Sequence, residues 1–232
     1  MNKQAVNNQE QGGWFTEQHN TLKVVGLNIR NLRENLEAVL VDPNILFAKA
    51  NLIHLCETGL GPADDHTSLA MPGYTGTFTS VGEGRGIATY HKAPFHHEQD
   101  VVRDDCQVTC FRSPSLDSLH VYRSSSSLPD LINDLQTLIN DDKPTLITGD
   151  LNICMQTQPN NHLTCYLMQA GFKQLVQSRI RVKGGHAYFR EGNQPFEELE
   201  LGGYNPYYVD KDALCVQLTL PQVKCSFFYP TQ

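Results

Sequence analysis

The stretch PTLITGDLNIC, Pro144 to Cys154, runs an apolar segment into an abrupt polar end. Leu146, Ile147 and Thr148 have the composition of a buried strand. Gly149, Asp150, Leu151 and Asn152 follow with no spacer. A carboxylate and an amide two residues apart at this place have two readings. Gly, Asp and Asn are ordinary turn formers. They are also the kind of group that collects at the carboxyl ends of strands in α/β sheets, where ligands bind. The stretch alone does not choose between them, so the reading depends on how the other strands end.

Two others end in the same way. TLKVVGLNIR (Thr21–Arg30) reads as a strand closing at Asn28, and ANLIHLCET (Ala50–Thr58) as a second closing at Glu57. Between them, Leu32, Leu36, Val39 and Leu40 recur at helical spacing until Pro43 stops the helix. GYTGTFTSVGEGRGIATYHK predicts a hairpin around a Gly-rich turn. QVTCF and SLHVYR predict a further strand pair. SLPDLINDLQTLIN is the clearest helix: Ser127 can cap it, Pro129 suits its first turn, and Leu131, Leu135, Leu138 and Ile139 share one face. HLTCYLMQAGF reads as a short helix that Gly171 ends. The C-terminal third, including RVKGGHAYFREG and YYVDKDALCVQLTL, reads as strands and loops. Strands alternating with helices predict an α/β domain whose sheets are covered by helices.

Composition narrows the class. With 232 residues, 40% hydrophobic and 19% charged, the chain can bury a real core and lacks a disordered profile. No apolar run reaches the roughly 20 residues of a membrane helix. Residues 1–20 are polar, without the apolar core of a secretory signal, and read as a disordered leader. A domain is expected over 21–222, with a tail at 223–232. The seven cysteines are odd in number and mostly within apolar runs, which points to reduced, buried thiols in an intracellular protein, nuclear or cytoplasmic. A net charge of −7 argues against a surface that attracts nucleic acid everywhere, but leaves room for a local basic groove.

Asn28, Glu57, Asp150 and Asn152 therefore stand together as polar strand ends. Two carboxylates and two amides are hard oxygen donors. They suit Mg²⁺, with Mn²⁺ as substitute, because Mg²⁺ takes one or two carboxylates plus waters and phosphate oxygens. Such a set points to metal-assisted phosphoryl chemistry.

The ordered segments LNIRNL, LIHLCETGL, GRGIATYHK, LHVYRSSSS, LITGDLN and YYVDKDALCVQL resemble the endonuclease/exonuclease/phosphatase family. Within it they look most like the apurinic-type endonuclease domains of non-LTR retrotransposons and Helitron-like elements. The resemblance covers Thr21 to about Leu220. It implies a four-layered α/β sandwich, two packed mixed β-sheets flanked by helices, with the site at one end. It also implies a Mg²⁺-dependent endonuclease acting on DNA, either a monomer or part of a larger transposon-encoded polyprotein, and no membrane. Glu57 matches the family's acidic metal ligand and Asn28 its neighbour, which helps place metal and phosphate. Tyr122 matches a tyrosine on the scissile phosphate, with Arg123 beside it as a further substrate contact. Asp150 matches the aspartate that orients or deprotonates the attacking water, and Asn152 the amide on a phosphate oxygen. Asp210 matches the acidic residue of the late Asp-His motif, in catalysis and at the metal.

One part of the family's pattern is missing. Lys211 stands where the histidine of that motif is expected, and the upstream aspartate that would orient it has no counterpart in KGGHAYFREG. Lysine neutralises phosphate charge but is a poor general base unless its pKa is depressed. Loss of one acid/base group typically costs about 10²–10⁴-fold in rate. His186, in a Gly-rich segment expected to be a surface loop, is the nearest substitute. Three readings stay open: an active or slowed endonuclease, a folded copy that binds nucleic acid or protein without cleaving, and a phosphatase or lipid phosphodiesterase on the same fold.

Overall fold

The computed structural model describes residues 21–43, 49–80, 85–124, 128–153, 158–175, 186–192, 198–204 and 213–219, the last two segments and 186–187 by their backbone. Among these residues, twelve strands run in the order β1 (Thr21–Asn28), β2 (Leu52–Cys56), β3 (Thr75–Thr79), β4 (Ile87–His91), β5 (His96–Arg103), β6 (Cys106–Arg112), β7 (Asp117–Arg123), β8 (Thr145–Asp150), β9 (Lys173–Gln174), β10 (His186–Arg190), β11 (Glu198–Tyr204) and β12 (Ala213–Thr219). Three α-helices among the described residues interrupt them: α1 (Leu32–Val41), α2 (Leu128–Leu138) and α3 (His162–Gln169). None of the described helices is long and apolar enough to cross a membrane.

The strands form two six-stranded sheets, ordered β11-β12-β1-β2-β4-β3 and β5-β6-β7-β8-β10-β9. Both are mixed. β1 and β2 pair in parallel, as do β7 and β8, and the other neighbours are antiparallel. Each parallel pair requires a crossover, which α1 supplies in one sheet and α2 in the other.

Side chains alternate across a strand, so each sheet has two faces to bury. On the outer face of the first sheet, Val25, Leu27, Ile53, Leu55, Ala88 and Tyr90 pack against Leu32, Leu36 and Val39 of α1. The outer face of the second carries Val108, Leu119, Val121 and Ile147 against Leu131, Leu135 and Leu138 of α2 and Leu163 and Leu167 of α3. The inner faces meet through Leu22, Val24, Leu52, Phe111, Leu116, Leu146 and Phe189. Helix, sheet, sheet and helix make the four layers of the expected α/β sandwich.

The predicted helices end where local chemistry ends them. Asn31 caps α1, its side chain accepting from the N–H groups of Arg33 and Glu34. Asn161 caps α3, and Gly171, at φ +83°, returns its N–H to the carbonyl of Met168. Ser127, the expected cap of α2, lies outside the described residues, but the apolar face of that helix is as expected, with Ile139 packed at its edge.

The structure corrects three expectations. HHEQDVVR forms β5, a strand the sequence did not suggest. It is an edge strand, exposed along most of its length, so its composition carries no apolar alternation. His186 does not lie in a loop: it opens β10 and pairs in register with Gly149. Of the cysteines, Cys56, Cys106 and Cys110 are buried thiols, but Cys165 is exposed on α3.

Candidate active site

Asn28 ends β1 in the first sheet and Asp150 ends β8 in the second. The Nδ2 of Asn28 donates to Oδ2 of Asp150 at 3.1 Å, a buried bond that ties the sheets together at one end of the sandwich. The parallel register places Asn28 beside Cys56, so Glu57 emerges one residue beyond it. The same geometry in the other sheet places Tyr122 directly beside Asp150. Four expected site residues, distant in sequence, thus share one end of the molecule.

The backbone is strained at this end. Arg30, Glu57 and Asn152 adopt the left-handed conformation, at φ +64°, +56° and +48°. Asn tolerates that region, whereas Arg and Glu pay about 1 kcal/mol or more to occupy it. Each residue follows the end of β1, β2 or β8, where the chain turns out of its sheet. Cross-links hold the turns: Ile29 N–H donates to the Cys56 carbonyl at 2.9 Å and Leu32 N–H to the Thr58 carbonyl at 2.8 Å.

The Asp150 carboxylate is fixed on both sides. Besides the Asn28 amide on Oδ2, Oδ1 accepts from the Asn152 N–H at 3.0 Å. The Asn152 side chain is turned away from Asp150, its Nδ2 donating to the Arg123 carbonyl at 2.5 Å. Arg123 completes the clasp by donating Nη1 to the Leu151 carbonyl at 2.9 Å. In this arrangement Arg123 and Asn152 hold the Gly149–Asn152 turn.

Tyr122 is nearly buried. Burial first, and the nearby carboxylates of Glu57 and Asp150 next, push its phenol up to about 12, while Arg85 pulls it the other way. It therefore stays a neutral hydroxyl between negative and positive groups. Among the described residues, the Oδ1 of Asn28 is buried without a hydrogen-bond partner. An orphaned hard oxygen beside two carboxylate-bearing strand ends is a donor that fits a hard cation. Among the described residues no three His, Cys, Asp or Glu side chains converge to hold a metal ion. Mg²⁺ does not need such a cage, because it retains waters and takes substrate oxygens. Asp210 and Lys211 lie outside the described residues.

Beneath the site is a polar layer that the sequence reading missed. His54 and His120 face each other from the two sheets, their rings stacked with centroids 4.3 Å apart. His54 Nδ1 lies 2.8 Å from Thr148 Oγ1 and His120 Nδ1 lies 2.9 Å from Thr89 Oγ1, while His120 Nε2 lies 3.2 Å from Cys56 Sγ. Cys56 precedes Glu57, and Thr148 shares the inner face of β8 with Asp150, so this layer is the floor of the site. The one sequence signal was alternation: Leu52, His54 and Cys56 occupy the inward positions of LIHLC.

Burial lowers the pKa of His54 to about 3 and that of His120 well below its ordinary value, His54 adding to the latter effect. In the unfolded chain both take up a proton below about 6.5, but in the folded chain both stay neutral until much lower pH. The unfolded state therefore binds more protons in this window, and stability falls as the pH falls. From about pH 7 to about pH 5 the loss should be roughly 2 kcal/mol per histidine. It can be read from urea midpoints, with His91 shifting in the same direction by less. Midpoints that stay level over that range would mean the imidazoles are reached by water.

No family model matches the sequence, and no curated protein matches it either. Solved structures do match the fold. An AP endonuclease from Archaeoglobus fulgidus superposes with a TM-score of 0.60 at 14% identity, covering 84% of this chain and 98% of that one. The endonuclease domain of TRAS1, a telomere-specific non-LTR retrotransposon, gives 0.60 at 11% identity, covering 85% and 97%. D. rerio TDP2, complexed with a single-strand DNA product, gives 0.59 at 10%, covering 85% and 98%. At such identities the likeness is one of fold. With the two helix-covered sheets and their register, it makes this chain a four-layered α/β sandwich of DNase I-like fold.

Proposed function

We propose that the chain is a Mg²⁺-dependent phosphodiesterase of endonuclease type, of transposon origin, that acts on nucleic acid, with DNA as substrate. The observation that carries this reading is the buried Asn28–Asp150 hydrogen bond. It joins the two sheets where Glu57 and Tyr122 also emerge, leaving an acidic metal ligand, a fixed carboxylate and a neutral phenol at one end. The names of the similar structures, an AP endonuclease, a retrotransposon endonuclease domain and TDP2 with a DNA product, support the same chemistry.

In this reading Glu57 and Asn28 Oδ1 would hold the cation, with Asp210 as a further ligand. When bound, Mg²⁺ supplies charge neutralisation for the phosphoryl oxygens. Asp150, held by Asn28 and the Asn152 N–H, orients a water and takes its proton. Tyr122 donates its hydroxyl to the phosphate, and its raised pKa keeps that proton in place at neutral pH. Arg123 and Asn152 keep the Asp150 turn closed and lie at the substrate's edge. Nicking of supercoiled plasmid in Mg²⁺, abolished by EDTA, tests the reading.

A second reading, a domain that binds nucleic acid without cleaving it, rests on Lys211 at the position of the family's histidine. If Lys211 supplies charge alone, cleavage is at least about a hundredfold slower than in a relative with the Asp-His pair. His186 pairs with Gly149 and so takes the register face of Ile147 and Tyr188, opposite to that of Thr148 and Asp150, which argues against it as the substitute for the missing histidine.

Metal binding is separable from turnover. Millimolar Mg²⁺ or Mn²⁺ should raise the thermal midpoint, because a ligand that binds only the folded chain stabilises it. Glu57→Gln should abolish the rise. An equal rise in that variant would place the metal elsewhere.

A further inference from the structure

The hairpin between β3 and β4 carries Arg85, in the GRG stretch whose sequence suggested only a turn. Its backbone is held tightly against the site. The Gly86 carbonyl accepts from the Thr58 N–H at 3.2 Å, and the Arg85 carbonyl accepts from Thr58 Oγ1 at 3.5 Å. Gly86 sits at φ +110°, and a Cβ there would fall 2.7 Å from Thr58 Oγ1 and 3.0 Å from the Thr79 carbonyl oxygen. Glycine is therefore what lets the segment close on Thr58, the residue after Glu57.

From this position the half-buried Arg85 side chain crosses from one sheet to the other. Its Nη1 donates to the Asp104 carbonyl at 3.1 Å, in the turn between β5 and β6. Asp105 of that turn accepts from the N–H of Ser124, just past the end of β7, so the turn borders the site. Asn28 and Asp150 bridge the sheets through β1 and β8, and Arg85 and Asp104 bridge them through the β3–β4 hairpin and the β5–β6 turn. Tyr122 packs in a buried cluster with Cys56 and with Ile87, two residues on from Arg85, and its phenol feels the charges of both Asp150 and Arg85. Arg33, Arg103, Arg112 and Arg190 each face a carboxylate, that of Asp64, Asp134, Asp117 or Asp141. Arg85 faces a neutral carbonyl, so this contact does not cancel its charge.

We propose that Arg85 is the phosphate-binding cation of this site, its guanidinium receiving a nonbridging oxygen of a nucleic-acid phosphodiester laid across Tyr122. The proposal rests on the nuclease reading above and adds a residue to it. Guanidinium groups suit the task because their planar fork of donors matches phosphate oxygens. With a net charge of −7, binding a polyanion requires local cations, and Arg85 is held by the Asp104 carbonyl two residues from Ile87, which packs with Tyr122.

The test is binding of a fluorescein-labelled single-stranded oligonucleotide by the full chain in EDTA, followed by anisotropy across a KCl series. Arg85→Ala should weaken binding by at least about tenfold and reduce the salt slope by about 0.7, the value of one single-strand phosphate contact. Arg85→Lys should recover part of the loss. If the alanine variant loses its fold, Arg85→Gln gives the same reading. Arg33→Ala removes the same formal charge from a residue paired with Asp64 and should stay within about twofold of wild type. Unchanged affinity in Arg85→Ala, or an equal loss in Arg33→Ala, overturns the assignment while leaving the nuclease reading in place. A wild-type chain that binds no oligonucleotide overturns that reading and the assignment with it.

Discussion

Gly149→Ala should cost at least about 3 kcal/mol of stability, in the range reserved for severe steric faults. Gly149 adopts φ +137°, and a Cβ built there would lie 1.8 Å from the Val121 carbonyl oxygen of the neighbouring strand. No side-chain rotation relieves a clash with backbone. β8 would have to move off β7 at the rung next to Asp150, and the Asn28–Asp150 bond would go with it. The glycine of GDLN is thus required by close approach of two strands, more than by the turn that its sequence context suggests. Urea unfolding measures the effect, and a midpoint within about 0.5 kcal/mol of wild type, as for an ordinary surface change, would contradict it.

The second large effect concerns rate. Asp150→Asn keeps the side chain's shape but removes its charge. It also turns one of two oxygens, each now accepting an N–H, into a donor. Cleavage should fall by about 10²–10⁴-fold, as for loss of a general base. DNA affinity should not fall with it, because the lost charge repels phosphate. A variant within about tenfold of wild type would assign water activation to another group.

How much of this was legible in the sequence depends on whether a feature is local. Asn28, Glu57 and Asp150 were readable because each ends an apolar run, and a strand's end is a local property. The faces of α1 and α2 were readable from their periodicity for the same reason. β5 was not, since an exposed edge strand has no buried side to mark its composition. The paired histidines were not, because burying His54 and His120 depends on Thr148 and Thr89, which other strands supply. Arg85 read as part of a turn, and only the fold brings the β5–β6 turn within its reach. Arg123 and Asn152, expected at the substrate, also proved to hold the Asp150 turn through backbone carbonyls, a role no motif announces.

The measurement that tests the central claim most directly is nicking of supercoiled plasmid by the wild-type chain and by Asp150→Asn, each in Mg²⁺ and in EDTA. The account predicts slow conversion to nicked circles by wild type in Mg²⁺, none in EDTA, and little or none by the variant in either. Nicking that persists in EDTA, or that Asp150→Asn performs at the wild-type rate, would contradict the site built on Asn28, Glu57, Tyr122 and Asp150.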